Sequence, residues 1–274
     1  MGAKHKNFEL KFAQWVKEGR GSGRGRDYKP WLTVRDVPSR GRSNRIFGHK
    51  TQRNHHLLSD LELAVFFLLE WQPKTTDIRE QFPLPLEQTL ALAEEAGIRH
   101  PAVNGNLHWM TTDFRVSTSD PGRPEFALQA KFHADLSDPR TVEKLELERR
   151  YWASQGIPWF IVTEKDLSPI VTNNIEWLYP AQGDHIPIEE LGARLTFYND
   201  HFRAQPGRTL VAIAKSLDTT YRLEAGESLL EIRQLLAQRF FLFDIRTPHT
   251  KLTAADLVLA DPMAWQGGAR VSGE

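Results

Sequence analysis

The sequence predicts a mixed α/β domain followed by a mostly helical module. Three observations lead there. Between residues 111 and 163 the elements run strand, strand, helix, strand, an order that builds a mixed sheet with helical cover. The segment from Ser59 to about Trp71 is helical in pattern but apolar almost all round, so it needs a sheet to bury against. Beyond Pro169, helical spacing dominates and strand alternation returns only near the end.

Taken in order, Asn7 to Gly19 reads as a short helix, with Phe8, Phe12, Trp15 and Val16 at helical spacing. A glycine- and arginine-rich turn from Gly19 to Gly25 ends it. The turn lacks both a preceding apolar strand and a Gly-Lys-Ser/Thr ending, so it is not a nucleotide loop. It reads as a flexible cationic segment, either touching a phosphate backbone or serving as a plain linker. Pro30 to Val37 and Arg45 to Gly48 look extended, and His55-His56 leads into the helix at Ser59. Ile78 to Pro83 is a short extended piece, and Leu86 to Ala96 is an amphipathic helix closed by Gly97. Thr111 to Val116 and Glu125 to Phe132 form a hairpin across a polar turn. Asp138 caps a helix that starts with Pro139 and runs to Ser154. Ile157 to Thr163 is nearly all apolar, as a strand buried on both faces would be.

A domain boundary is expected over Glu164 to Pro169. Helices follow near Ile170–Trp177, Pro187–Leu195 and Thr209–Leu217, and a fourth from Ser228 to Gln238 opens with a capping-box pattern. Phe240–Ile245 and Ala255–Leu259 close the chain as a small strand pair, which suggests a winged-helix-like module. The expected domains are therefore 1–168, 169–268 and a disordered tail at 269–274.

The 274 residues include no cysteine, which excludes a disulfide scaffold, a thiolate nucleophile and a cysteine-based zinc site. No apolar run reaches the ~20 residues of a membrane span, and the amino terminus lacks a secretory h-region, so the expected setting is the cytoplasm with no membrane partner. The formal net charge is zero, yet residues 1–56 hold 14 Lys and Arg against 4 Asp and Glu. That basic segment is a candidate phosphate-binding footprint, with Arg20, Arg24, Arg26, Arg40, Arg42 and Arg45 as its gripping residues. A solvated basic tail is the plainer alternative.

Chemistry concentrates around the hairpin. Alternation puts Phe126, Leu128, Ala130 and Phe132 on one face of the second strand, and Ala127, Gln129 and Lys131 on the other. The first strand can bring Asp113 beside Gln129, and the buried helix can add Glu62. Two acids, an amide oxygen and a lysine suit water-driven phosphodiester cleavage. Hard oxygens hold Mg²⁺, and the lysine stabilises the developing anion or positions water. Each residue also has a plain reading. Glu62 would complete a capping box by bonding the Ser59 amide, and Gln129 with Lys131 would be an ordinary polar strand face. Glu146 and Glu148 read as a solvated helix face beside Arg149 and Arg150, with Glu148 the alternative neighbour to the metal site. His55 and His56 lack partners at zinc-ligand spacing.

The arrangement resembles the restriction-endonuclease-like nuclease core, in which an Asp precedes an acid-x-Lys strand and an earlier helix adds an acid. Here Gln129-Ala-Lys131 departs from that pattern by placing an amide where an acid is usual. The chain is similar to the TnsA family in longer blocks: 19–34, Gly41-Arg-Ser43, 55–66, Asp77-Ile-Arg-Glu-Gln-Phe-Pro-Leu84, 144–152 and Ile157-Pro-Trp-Phe160. The resemblance is dense over about 19–180. It implies catalytic Glu62, Asp113, Gln129 and Lys131, and metal ligands Glu62, Asp113, Gln129 and the Ala130 carbonyl. Two Mg²⁺ are implied, with Mn²⁺ as substitute. It further implies a bacterial endonuclease that nicks the 5′, non-transferred strands at transposon ends during cut-and-paste transposition. The implied partners are end DNA, a TnsB-like DDE transposase and a TnsC-like ATPase engaged through the carboxy-terminal region. Gln129 keeps open a rival, a non-catalytic DNA-binding or scaffold subunit with a retained nuclease fold. Two Mg²⁺ would also exceed the charge of Glu62, Asp113 and one phosphate together, so the site is expected to need DNA to complete it.

Overall fold

The structure, a computed structural model, describes residues 11–36, 42–103 and 105–261. The expected terminal tail, and Phe8 of the first helix, lie outside the described residues. The chain divides into two compact units between Leu167 and Ser168.

In the first unit, helix α1 is described over 11–17. Its Phe12 and Trp15 pack with Trp31, and Trp109 stacks on Trp31 with ring centroids 4.5 Å apart. The extended piece expected at 30–37 does not form over its described residues. Instead Asp36 Oδ2 accepts from the Thr33 amide at 2.9 Å and hydroxyl at 2.6 Å, closing a local turn that competes with strand pairing.

The glycine-rich segment is not a linker either. Gly21 donates its amide to Lys29 O, Lys29 returns a bond to Ser22 O, and the Gly25 amide donates to Asp77 Oδ1. Gly21 has φ of 77°, and a Cβ there would lie 2.2 Å from Pro83 Cγ. Gly21→Ala is expected to destabilise the protein by about 2–4 kcal/mol through strain and overlap. Denaturant unfolding would show it, and an unchanged midpoint would refute the packing.

Strands β1 (Asn44–Gly48) and β2 (Arg53–Leu57) form an antiparallel hairpin; β2 was not apparent in the sequence. Helix α2 (Asp60–Trp71) is capped by Ser59 and lies against β1, β2, β3 and β7. The ten-residue β3 (Thr75–Leu84) is longer than its apolar pattern suggested, because Arg79, Glu80 and Gln81 are buried within it. Helix α3 (Leu86–Glu95), the short β4 (Ala102–Val103) and β5 (Asn106–Leu107), then β6 (Met110–Thr118) and β7 (Glu125–Ala130) follow. Helix α4 (Pro139–Ser154) leads to β8 (Trp159–Val162).

The main sheet has the order β3-β6-β7-β8, antiparallel except for the β7–β8 pair. It is the expected mixed sheet. Leu84, Ala93, Met110, Ala127, Leu147, Tyr151 and Trp152 form the core joining α3 and α4 to it. As an edge strand, β8 is only partly covered, with Phe160 40% exposed, rather than buried on both faces.

The second unit holds α5 (Pro169–Gln182), α6 (Ile188–Ala204), α7 (Leu210–Tyr221) and α8 (Glu227–Ala237). Ile175, Leu178, Tyr198, Ile213 and Leu235 are fully buried in it. The closing pair, β9 (Phe241–Leu242) and β10 (Val258–Leu259), is antiparallel but only two residues per strand. Both expected strands are thus shortened, with two short 3-10 turns between them. Among the described residues, no helix is long and apolar enough to cross a membrane.

Candidate active site

The site begins where two strands part. The β6–β7 register runs from Ser117 opposite Glu125 to Phe114 opposite Leu128 and stops there. Beyond it, side chains replace the ladder bonds. The Ala130 amide donates to Asp113 Oδ2 at 2.8 Å, and the Asp113 amide donates to Gln129 Oε1 at 3.1 Å. Each strand end thereby holds the other's main chain through a polar side chain that also lines the adjoining cleft.

Helix α2 contributes Glu62. Its Oε1 accepts from the Ser59 hydroxyl at 3.0 Å and its Oε2 from the Leu58 amide at 2.9 Å. The expected bond to the Ser59 amide is thus shifted by one residue. A further donor is Gln81 Nε2, 3.1 Å from Glu62 Oε2. From α4, Glu148 accepts from Thr112 Oγ1 and Trp159 Nε1. Its carboxylate is buried, so the solvated reading is corrected. Glu146 does match that reading, pairing with Arg149 and Arg150 near solvent.

Glu62, Asp113, Gln129, Lys131 and Glu148 all line one cleft of about 900 Å³. Three buried carboxyls in one place affect each other's protonation. Burial, then the neighbouring Asp113, pushes Glu62 up to about 8. Burial and Asp113 likewise raise Glu148 to about 8. Burial raises Asp113 as well, against the pull of Lys131 and of hydrogen bonds from Ala130, Gln129 and Gln81. The Lys131 charge favours the ionised form of all three.

Such a donor set fits a hard divalent cation. It offers oxygen only: two carboxylates and the Gln129 amide oxygen, whose bond to Asp113 leaves a second lone pair; the Ala130 carbonyl, expected as a further ligand, is not among the groups that line the cleft. Repulsion between Glu62 and Asp113 is what a cation between them would relieve. Among the described residues, no group of three or more His, Cys, Asp or Glu could hold a metal, so the amide oxygen would be needed.

A run of charge along the cleft was not anticipated. Arg140, Thr141, Lys144, Leu145 and Glu148 share one face of α4 and line the cleft, with Arg99, His100 and His108 nearby along it. The i, i+4, i+8 spacing of Arg140, Lys144 and Glu148 was the sequence signal for that face. Gln81 left no such signal.

The arginines expected to grip phosphate fall into different settings. Arg20 is turned inward, bonding the Trp31 carbonyl at 3.0 Å and Asp36 at 2.8 Å. Arg24, Arg26, Arg42 and Arg45 are exposed, Arg24 standing 3.5 Å from Glu125, and Arg40 lies outside the described residues. His55 is bound to Thr51 and Glu80, both at 2.7 Å, rather than facing a metal.

Comparison with known proteins adds an independent line. Residues 72–164 match a family described as TnsA-like endonuclease N terminal, and residues 166–245 one described as TnsA endonuclease C terminal. The chain is 48% identical over 252 residues to the transposon Tn7 transposition protein TnsA of Escherichia coli, an alignment covering 92% of each chain.

Proposed function

Because this chain belongs to the TnsA endonuclease family, we propose that it is a metal-dependent DNA endonuclease that nicks the 5′ strands at transposon ends. The observation that supports this best is the convergence of Glu62, Asp113 and Lys131, from three separate positions in the chain, on one cleft at the parted ends of β6 and β7. Glu62, Asp113 and Gln129 would hold Mg²⁺, for which Mn²⁺ would substitute, in a site taking two ions. The bound ions supply phosphoryl polarisation and a more acidic water. Lys131 presents a cation to the charge that develops on the phosphoryl oxygens. Glu148, whose carboxyl burial raises, is held beside the site by Thr112 and Trp159.

The cleft accounts for substrate polarity. A DNA strand brings one negative charge per phosphate, and the α4 face meets it with Arg140 and Lys144. If both contact phosphate, replacing them with Gln should flatten the slope of log affinity against log salt by about 2. An unchanged slope would place the strand elsewhere. Arg24, Arg26, Arg42 and Arg45 would serve phosphates flanking the cut.

The remaining assignments are proposals of the same kind. The second unit, four helices and a short hairpin, would act as a winged-helix-like module. Its carboxy-terminal region would engage a TnsC-like ATPase, while a TnsB-like DDE transposase cuts the 3′ ends, all in the bacterial cytoplasm. The neutral Gln129 is the one feature that keeps the scaffold alternative open. Mapping 5′ and 3′ nicks on end DNA, with and without the partner transposase, separates the two readings: a 5′ nick that requires this chain supports the enzyme, and none under any condition supports the scaffold.

A further inference from the structure

Gln81 has a backbone and a side chain that both need explaining. Its φ is 49°, in the left-handed region that non-glycine residues enter at a cost. Nothing in β3 requires a turn there, since the register continues from Glu80 opposite Phe114 to Phe82 opposite Thr112. That register sets Gln81 across from Asp113. Two residues apart in a regular strand would share a face. Here Glu80 turns to Arg53 and His55, while Phe82 packs towards Trp152. The Gln81 carbonyl leaves the ladder and accepts from the Trp31 amide at 3.2 Å.

The side chain shows what the distortion achieves. Gln81 is 2% exposed, yet it lines the cleft. The Thr111 hydroxyl donates to its Oε1 at 3.4 Å, which orients the NH₂ group. That NH₂ donates to Glu62 Oε2 at 3.1 Å, and the register sets the same residue across from Asp113, whose carboxyl it helps to lower. One neutral amide therefore fixes Glu62 at the point where it faces Asp113, an acid from a different element that repels it. A regular residue at 81 would pair in the ladder and lose this reach.

We propose that Gln81 is a positioning residue that holds Glu62 in one orientation beside Asp113 for a divalent cation. This rests on the metal-site reading above. The left-handed backbone is kept because it delivers the amide to Glu62 on the side that faces Asp113. Gln81 acts through the Glu62 carboxylate and is not itself assigned as a ligand.

The test is Mn²⁺ binding to the full chain by calorimetry, alongside denaturant unfolding. Gln81→Gly removes the amide and is at ease at φ of 49°, so the fold should persist while Mn²⁺ affinity falls about tenfold, within the range for lost outer contacts to metal ligands. Gln81→Asn also tolerates this backbone but is one methylene short of the bridge, and the same loss is expected of it. Asp113→Ala serves as the reference for loss of the site. Affinity unchanged in both Gln81 variants but lost in Asp113→Ala would overturn the positioning role and leave the metal site standing. Affinity unchanged in all three would overturn both. A loss of affinity that merely tracks a loss of folded protein would also overturn the inference, since it predicts weaker binding by molecules that remain folded.

Discussion

Asp113→Asn should abolish 5′-strand nicking while leaving 3′ cleavage by the partner transposase in place. The substitution is close to isosteric, and its amide oxygen can still accept from Ala130 N–H, which Asp113 Oδ2 does at 2.8 Å. The parted strand ends therefore keep their connection, and folding should be preserved. What is lost is one of only two carboxylates proposed to face the cation, beside a neutral Gln129. The rate should drop at least about 10²–10³-fold, the range for removing one preorganised group from an active site. Strand-resolved mapping of cleavage on end DNA would measure it. Undiminished 5′ nicking would locate the chemistry elsewhere. Retained 3′ cleavage also separates loss of chemistry from failure to assemble.

The second large effect is on stability. Glu80 has no exposed side-chain surface, and it receives Arg53 through two bonds of 2.8 and 2.5 Å, His55 at 2.7 Å and the His56 amide at 3.1 Å. Burial alone would push its carboxyl up, but His55 and Arg53 more than offset this and hold it well below the usual range. Glu80→Gln leaves the Arg53 guanidinium buried without its counter-ion, which should cost about 3–5 kcal/mol near neutral pH. The sign of the pH dependence follows from the depressed folded-state value. The contribution is fully present above the unfolded carboxyl value near 4.5, and is lost as pH falls towards the folded one. The difference between wild type and variant in denaturant unfolding should therefore narrow below about pH 4.5. A constant difference from pH 7 to 3 would show that the charge does not matter.

The same cluster explains what the sequence left hidden. Where burial was apolar, the pattern could be read: α2, α3, α4 and β6 lie close to their expected places. Where burial was polar, it could not. Arg53, Asn54, His55 and His56 do not look like a strand, and Arg79-Glu80-Gln81 does not look like the interior of one. Their partners are far away in sequence, 25 residues for His55 and Glu80. The four expected catalytic residues do converge on one cleft, because two-residue alternation and the hairpin turn are local properties that sequence carries. Of the two readings open for Glu148, the sequence could not choose: Arg149 and Arg150 beside it suggested solvent, while the helix rotates it inward to the cleft. Gln81 depends on a backbone angle to which no residue type nearby points. Thr33 and Asp36 made a turn where β-branched composition suggested a strand.

The reciprocal bonds at the fork of β6 and β7 also act as a check on assembly. Asp113 reaches the Ala130 amide, and Gln129 reaches the Asp113 amide, only when the two strands meet with Phe114 opposite Leu128. A slip by one residue would turn Gln129 and Lys131 to the other side of the sheet and break both bonds together. A misassembled molecule is then a disarmed one. For a nuclease, this ties the existence of the cutting centre to the one register that correct folding sets.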